Sequence, residues 1–319
     1  MTPPILPPEL AAARDRLLEG VSRRGLRDQA AALSQRYRSV AGAHAKQSEL
    51  LAYTVTRMPA TYAAVAAVLD EVSLRMPGFS PRTLLDLGSG PGTATWAAAA
   101  VFGQLDSVTA IERESGFTKL AVALAETHPL LSRATRIEGN LEQSPAIFGG
   151  FDLVTAAFVL AEILPDRQAA MIAAAWDAAG VLVLVEPGTP AGFARILSAR
   201  TQIIALGGKL VAPCPHGGPC PLGGDDWCHF AVRLPRERDH REVKNVASPF
   251  EDEKYAYAVL SREPVTAIAG RILRPPKVTK ADITADLCTP AGLAAVRIPA
   301  RDREAHRRSR KWRWGTALE

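Results

Sequence analysis

Cysteine is scarce, with four residues in a chain of 319. That is too few for a disulfide scaffold of this length, and the N-terminal stretch MTPPILPPELAAARDRLLEG has no signal-peptide core. A reducing compartment, with thiols free or bound to metal, is therefore expected. The same stretch carries Glu9, Asp15 and Glu19, acids that transit peptides normally avoid, so a cytoplasmic protein is the expectation. No apolar run approaches the eighteen or more residues of a membrane span, which excludes a bundle of membrane helices, and no membrane partner is expected. There is no internal repeat, which excludes a solenoid or propeller. Charge of one sign is also lacking: 38 Lys and Arg against 33 Asp and Glu leave only +5. Aromatic residues make up 6% of the chain. Hydrophobic content of 47% and charged content of 22% are those of an ordinary globular protein. Nothing in the sequence points to an oligomer, and a monomer is assumed.

What is present falls into three parts. Residues 1–78 read as an N-terminal helical region. Apolar positions recur at helical spacing through LAAARDRLLEGV, QAAALSQRY and MPATYAAVAAVLDEVSLRM, with Pro59 suited to a first turn. After the break PGFSP, residues 79–264 alternate. TLLDLGSG, SVTAIER, ATRIEGN, FDLVTAAFV and VLVLVEPG read as strands, with helices such as TATWAAAAVF and DRQAAMIAAAWDAA between them. This predicts an α/β domain whose parallel sheet is covered on both faces. HFAVRLPR and YAYAVLSREP predict an antiparallel edge hairpin of the same sheet, beyond a Cys-rich insertion at about 209–230. Residues 265–319, with RILRPP, DITADLC and LAAVRIPA, predict a small C-terminal β unit with a basic tail.

The first strand runs into Asp86-Leu87-Gly88-Ser89-Gly90-Pro91-Gly92. Glycines at a strand-to-helix turn let backbone N–H groups approach a ligand. The spacing is not the G-x-G-x-x-G of dinucleotide folds, because the third glycine comes one position early. D-x-G-x-G-x-G resembles motif I of the class I S-adenosylmethionine-dependent methyltransferases. The resemblance implies a Rossmann-like sheet and S-adenosyl-L-methionine (SAM) as cofactor, bound by Asp86, Gly88, Gly90 and Gly92. Glu112, ending the second strand, would face a ribose diol, and Asn140, after the third, would lie near the adenine. Catalytic residues are not legible. Thr155-Ala156-Ala157-Phe158 stands where amino-group methyltransferases carry an N-P-P-Y-like sequence. No cysteine lies near that strand, and lysine is too scarce there for a ribose-methylase set. Glu162 and Glu186 are the nearby acids suited to general-base work; without a partner base, a structural or binding role is the leading reading for each.

Three cysteines fall in CPHGGPCPLGGDDWC, at Cys214, Cys220 and Cys228, and the fourth, Cys288, ends DITADLC. A Pro- and Gly-rich run with so little apolar content cannot order itself. A metal site would order it, and four thiolates fit one tetrathiolate centre. Gaps of five and seven residues are wider than the pairs of zinc ribbons, and Pro215 and Pro221 follow two of the cysteines, which favours a [4Fe–4S] cluster. Zinc stays open on ligand type, including a Cys3His site through His216 or His229. The terminal run RDREAHRRSRKWRWG sets seven Lys and Arg around Trp312 and Trp314. Such a segment can track phosphates while its aromatics stack on bases, so RNA contact is expected.

RMPATYAAV, LLDLGSGPGTATWAA, LVEPGTPAGF, CPHGGPCPLGGDDWCHFAVRLPR and RILRPPK…ADLCTPAG…RKWRWG together resemble one family. These are the mitochondrial small-ribosomal-subunit proteins of the Rsm-twenty-two type, also called methyltransferase-like protein seventeen, and their bacterial relatives. The resemblance runs from about residue 37 to 315; where the family usually ends in Trp-Gly-Asp, this chain has Trp314-Gly315-Thr316. It implies a methyltransferase-like factor that binds the maturing small ribosomal subunit and its rRNA and supports assembly and translation. It also implies a [4Fe–4S] cluster on Cys214, Cys220, Cys228 and Cys288. The cluster is expected to fasten the C-terminal unit beside Arg233, Arg236 and Arg238, holding two basic surfaces in one orientation. The alternatives are an active SAM-dependent rRNA methyltransferase and a zinc-stabilised methyltransferase for a small molecule or protein.

Overall fold

The structure, a computed structural model, describes residues 5–39, 49–143 and 149–319, with backbone only for 36–39. Residues 40–48, inside the region read as helical, lie outside the described residues. Helices α1 (Pro8–Leu17), α2 (Arg23–Ser39), α3 (Leu50–Thr56) and α4 (Met58–Arg75) come first. The alternating part follows as β1 (Thr83–Leu87), α5 (Thr93–Val101), β2 (Ser107–Glu112), α6 (Ser115–Ala125), β3 (Thr135–Glu138), β4 (Phe151–Ala157), α7 (Pro165–Ala178), β5 (Ala179–Pro187) and α8 (Pro190–Ala205). Then come β6 (Lys209–Ala212), β7 (Phe230–Pro235), α9 (Arg238–Lys244) and β8 (Phe250–Ser261). The chain ends in β9 (Gly270–Ile272), β10 (Lys277–Val278), β11 (Asp282–Thr289), β12 (Gly292–Pro299), α10 (Arg303–Ser309) and β13 (Ala317–Leu318). No helix among the described residues is long and apolar enough to cross a membrane.

The large sheet has the order β3-β2-β1-β4-β5-β8-β6, with β7 also on β8. β1 to β5 are mutually parallel, and β8 is antiparallel to β5. Their apolar runs, such as Val181–Val185 in β5, are buried on both faces, as parallel strands under helices must be. One face packs against α4, α5 and α6 through Leu69, Trp96 and Leu124. The other packs against α7 and α8 through Trp176 and Ile203. α4 is buried around most of its circumference, from Met58 to Val72, so it acts as a core element and not a surface helix. This is an α/β, Rossmann-like sheet.

The edge differs from the expected simple hairpin. β6 pairs with the end of β8, Lys209 opposite Ser261 and Ala212 opposite Val259. β7 pairs with its start, Phe230 opposite Tyr255 and Pro235 opposite Phe250. β5 occupies the other side of β8, reaching Tyr255 through Pro187. β6 and β7 are thus two collinear halves of one edge strand, both antiparallel to β8. Residues 213–229, which carry three cysteines, are inserted at the break. The second sheet has the order β10-β11-β9-β13, with β12 on the other side of β11. Cys288 in β11 pairs with Arg271 in β9, and Arg271 pairs in turn with Ala317 in β13.

Candidate functional site

The glycine turn lies at the carboxyl end of β1, in the middle of the parallel strands. Gly88, Gly90 and Gly92 have φ of 66°, 53° and 84°, a region in which a side chain is strained. A Cβ on Gly88 would also collide with Val159, in the loop after β4. Gly88, Glu112 and Asn140 line one cleft together with Val159 and Glu162; Gly90 and Gly92 form the turn behind it. Glu112 ties two strand ends together, accepting from the Gly90 and Glu114 backbone N–H groups, each at 2.8 Å. Asn140 Oδ1 accepts from the Glu142 N–H at 3.0 Å, which leaves its amide hydrogens for a ligand.

Asp86 is 1% exposed. Its Oδ1 accepts from the Thr155 hydroxyl at 2.7 Å, while Oδ2 has no hydrogen-bond partner among the described residues. Burial pushes its pKa up to about 7, with the Glu112 carboxylate adding to the rise and Thr155 and the Thr95 N–H opposing it. Burial likewise raises the Glu112 carboxyl, with Glu162 adding to the rise. The Tyr53 hydroxyl of α3 is pushed up to about 12, by burial first and by Glu162 and Glu112 among the rest. The cleft thus concentrates carboxylates, and a cation would relieve them.

Glu186 is buried and fully engaged: one oxygen accepts from the Leu160 N–H at 3.0 Å and the other from Arg195 Nε at 2.7 Å. Burial raises its pKa to about 7, against the pull of Arg195. It braces the loop after β4 against α8, so the structural reading of this acid holds. Glu162 lines the cleft itself.

The second site is a cavity walled by Cys214, Cys220, Cys228 and Cys288, with Phe193, Arg200, His216, Tyr257 and Arg271. Three cysteines come from the insertion in the edge strand and the fourth from the second sheet, so the cavity sits at the joint between sheets. Burial pushes Cys288 up to about 11, with Cys214 and Cys220 contributing. Burial also puts Cys228 well above its ordinary value, and the other three thiols add to that. The four thiols share the wall of one cavity. His216 Nε2 approaches Cys288 Sγ at 3.8 Å. His229 instead stacks on Trp227 at 5.2 Å and meets Trp314 edge-on at 4.9 Å, away from the cavity lining.

Arginine is the residue type at this site that motif and spacing do not reveal. Arg200 and Arg271 are 4% and 1% exposed. Arg271 holds three regions at once: Nε donates to the Pro213 carbonyl at 2.8 Å, Nη1 to that of Gly315 at 2.7 Å, and Nη2 to Glu71 at 2.7 Å. The signal available in the sequence is a lone arginine within an apolar stretch, in SARTQIIAL and in AGRIL.

Two expectations change. Trp312 packs on Ile272 and Leu287 of the second sheet, and Trp314 packs into the main core beside His229. Both rings are partly buried against the fold, which leaves only part of each face to solvent. Arg233, Arg236 and Arg238 do not line the cysteine cavity; they pair with Asp252, Glu251 and Glu242. By contrast, Arg301, Arg303, Arg307, Arg310 and Lys311 are exposed.

A profile of the family described as mitochondrial small ribosomal subunit Rsm22 matches residues 47–319. The chain is 30% identical over 290 residues to the human ribosome assembly protein METTL17, mitochondrial, covering 84% of this chain and 62% of that one. It is 26% identical over 320 residues to the mitochondrial Rsm22-cox11 tandem protein 2 of Schizosaccharomyces pombe, covering 84% and 42%. The chain thus spans less than two thirds of the length of these relatives. Similar solved structures include magnesium protoporphyrin IX methyltransferase from Synechocystis PCC 6803 with bound SAM, at 14% identity and TM-score 0.42, covering 79% of this chain and 97% of that one. Precorrin-6y C5,15-methyltransferase from Geobacter metallireducens GS-15 has 12% identity and TM-score 0.42, covering 62% and 87%. The profile match takes in the glycine turn, all four cysteines and the basic C-terminus, and the chain belongs to the Rsm22 family.

Proposed function

We propose that this protein is an assembly factor of the small ribosomal subunit that binds its rRNA, holds SAM in the glycine-turn cleft and carries a [4Fe–4S] cluster. The observation that carries the reading is the cysteine cavity at the joint of the two sheets. Cys214, Cys220, Cys228 and Cys288 would hold the cluster. With every iron bound to a thiolate, it would supply a rigid fastening and no open coordination position. The cavity fits such a group through its donor set and its buried guanidinium groups. Among the described residues, no three Cys, His, Asp or Glu side chains are grouped closely enough to hold a metal ion, so the reading rests on the four thiols sharing one wall. Fastened this way, β11 and the exposed cations that follow it present one fixed basic surface to phosphates.

SAM would supply a methyl group on a sulfonium. The residues fit its cationic methionine end through Asp86, whose Oδ2 lacks a partner among the described residues, and its adenosine through Glu112 and Asn140 on the cleft wall. Of the two acids suited to general-base work, Glu186 is consumed by Arg195 and Leu160, while Glu162 lines the cleft. The test incubates the protein with small-subunit rRNA and labelled SAM. Tight RNA and SAM binding without label on the RNA is expected; label transferred to RNA establishes the enzyme instead, and absence of RNA binding overturns the proposal.

A further inference from the structure

The ligand set of the cysteine cavity does not account for Arg200. A buried charge costs several kcal/mol unless it is paired. Arg271 meets Glu71 at 2.7 Å, but Arg200 has no carboxylate partner among the described residues. Its Nη2 donates to the His216 and Gly218 carbonyls at 2.7 and 2.9 Å, shaping the loop between Cys214 and Cys220. Its Nε is buried with no hydrogen-bond partner among the described residues. Arg200 lines the cavity together with Cys214 and Cys288. Against neutral thiols, a buried cation with an unspent N–H is a net cost. Against thiolates on a metal, which leave net negative charge, the same group is the counter-ion and an N–H···S donor.

We infer that Arg200 is the positioning residue of the cysteine site: it neutralises the metal–thiolate group and donates from Nε to the Cys214 sulfur. The inference rests on the cysteines holding metal. Affinity for the metal depends on Arg200, and so does the redox balance of an iron–sulfur cluster, because cation and N–H···S bond favour the more negative, reduced state. Lysine supplies the charge but not the planar fork that reaches two carbonyls and a sulfur together.

The experiment uses the full chain, purified anaerobically and reconstituted with ferrous iron and sulfide, as wild type, Arg200→Lys, Arg200→Gln and the exposed control Arg233→Gln. Iron and sulfide per chain, the rate of iron loss to a chelator, and the reduced fraction at fixed potential are read. Arg200→Gln is expected to lose iron about tenfold faster. Its reduced-to-oxidised ratio should fall about tenfold, equivalent to about 59 mV for a one-electron couple. Arg200→Lys should fall between it and wild type, and Arg233→Gln should match wild type. Equal losses in the two Arg200 variants without a redox shift mark a packing role and overturn the inference, as does a wild-type-like Arg200→Gln. If the wild type takes up zinc and no iron, the cluster reading fails by itself. Zinc loss to the chelator then decides, and an unaccelerated Arg200→Gln overturns the inference. A wild type that takes up neither metal overturns both.

Discussion

At the carboxyl ends of β1, β2 and β4 the cleft wall carries Glu112 and Glu162 beside Arg113; at the far edge, where β6 and β7 abut along β8, the wall carries four thiols with Arg200 and Arg271. The cysteine cavity lies where the large sheet meets the second one, whereas the cleft belongs to the large sheet. In the strand that leads into the glycine turn, burial drives Asp86 up to about 7. The cysteine cavity has Arg200 and Arg271 in its wall, and burial holds the Cys214, Cys228 and Cys288 thiols above their ordinary range. They also differ in how they are assembled. The cleft draws its predicted ligand residues from Asp86 to Asn140, on successive strand ends. The cysteine cavity joins an interrupted edge strand to a separate sheet.

The largest effect should come from Cys288→Ser. Metal uptake should be lost and residues 265–319 should become protease-sensitive, while SAM affinity changes by less than about threefold. Limited proteolysis and metal analysis read both halves; full protease resistance would show that the cysteine site does not staple the sheets. Next comes Arg271→Met, which strands the Glu71 carboxylate and the Pro213 and Gly315 carbonyls. Breaking a buried pair on one side costs roughly 3–5 kcal/mol, and a denaturant midpoint equal to wild type would falsify the hub role of this arginine.

Asp86→Asn tests the other cavity, with opposite signs for stability and binding. The carboxyl has a folded pKa of about 7 against 3.8 as the ordinary value, so the native state keeps its proton while the unfolded state loses it. Stability from this group is therefore present below about pH 4 and is lost as pH rises through 7. Asparagine removes that loss, and the ligand-free variant at pH 8 should be more stable by on the order of 2 kcal/mol. SAM binding should weaken at least tenfold. Parallel stability curves for wild type and variant between pH 5 and 8 would count against the buried, unpaired carboxylate. The smallest effect on stability should follow from Arg307, Arg308, Arg310 and Lys311 changed together to Gln. The melting temperature should stay put while affinity for single-stranded rRNA falls and its salt dependence flattens. The log–log slope should drop by about 0.7 for each phosphate that the chain no longer neutralises. An unchanged slope would remove this segment from the RNA interface.

The strand–helix alternation and the glycine turn were readable because both are local. Apolar periodicity marks each element, and D-x-G-x-G-x-G places three glycines where φ must be positive. The division of the edge strand was not readable, since a Pro- and Gly-rich insertion looks the same between two strands as inside one. Trp312 and Trp314 misled for a related reason: an aromatic beside arginines can face water or a core, and only the packing of β9 and β11 against them shows which. Arg200 and Arg271 carry their signal only once a cavity exists for them to face.

By itself the sequence determined the α/β sheet, the acid-bearing glycine turn and the supply of four thiols, because each depends on residues near one another in the chain. Only the tertiary structure decided that Glu71 meets Arg271 across 200 positions, that β6 and β7 share one edge of β8, and that Arg200 and Arg271 line the cavity of the four cysteines. Those pairings are set by strand register and by which charges share a dry interior, and spacing along a chain encodes neither.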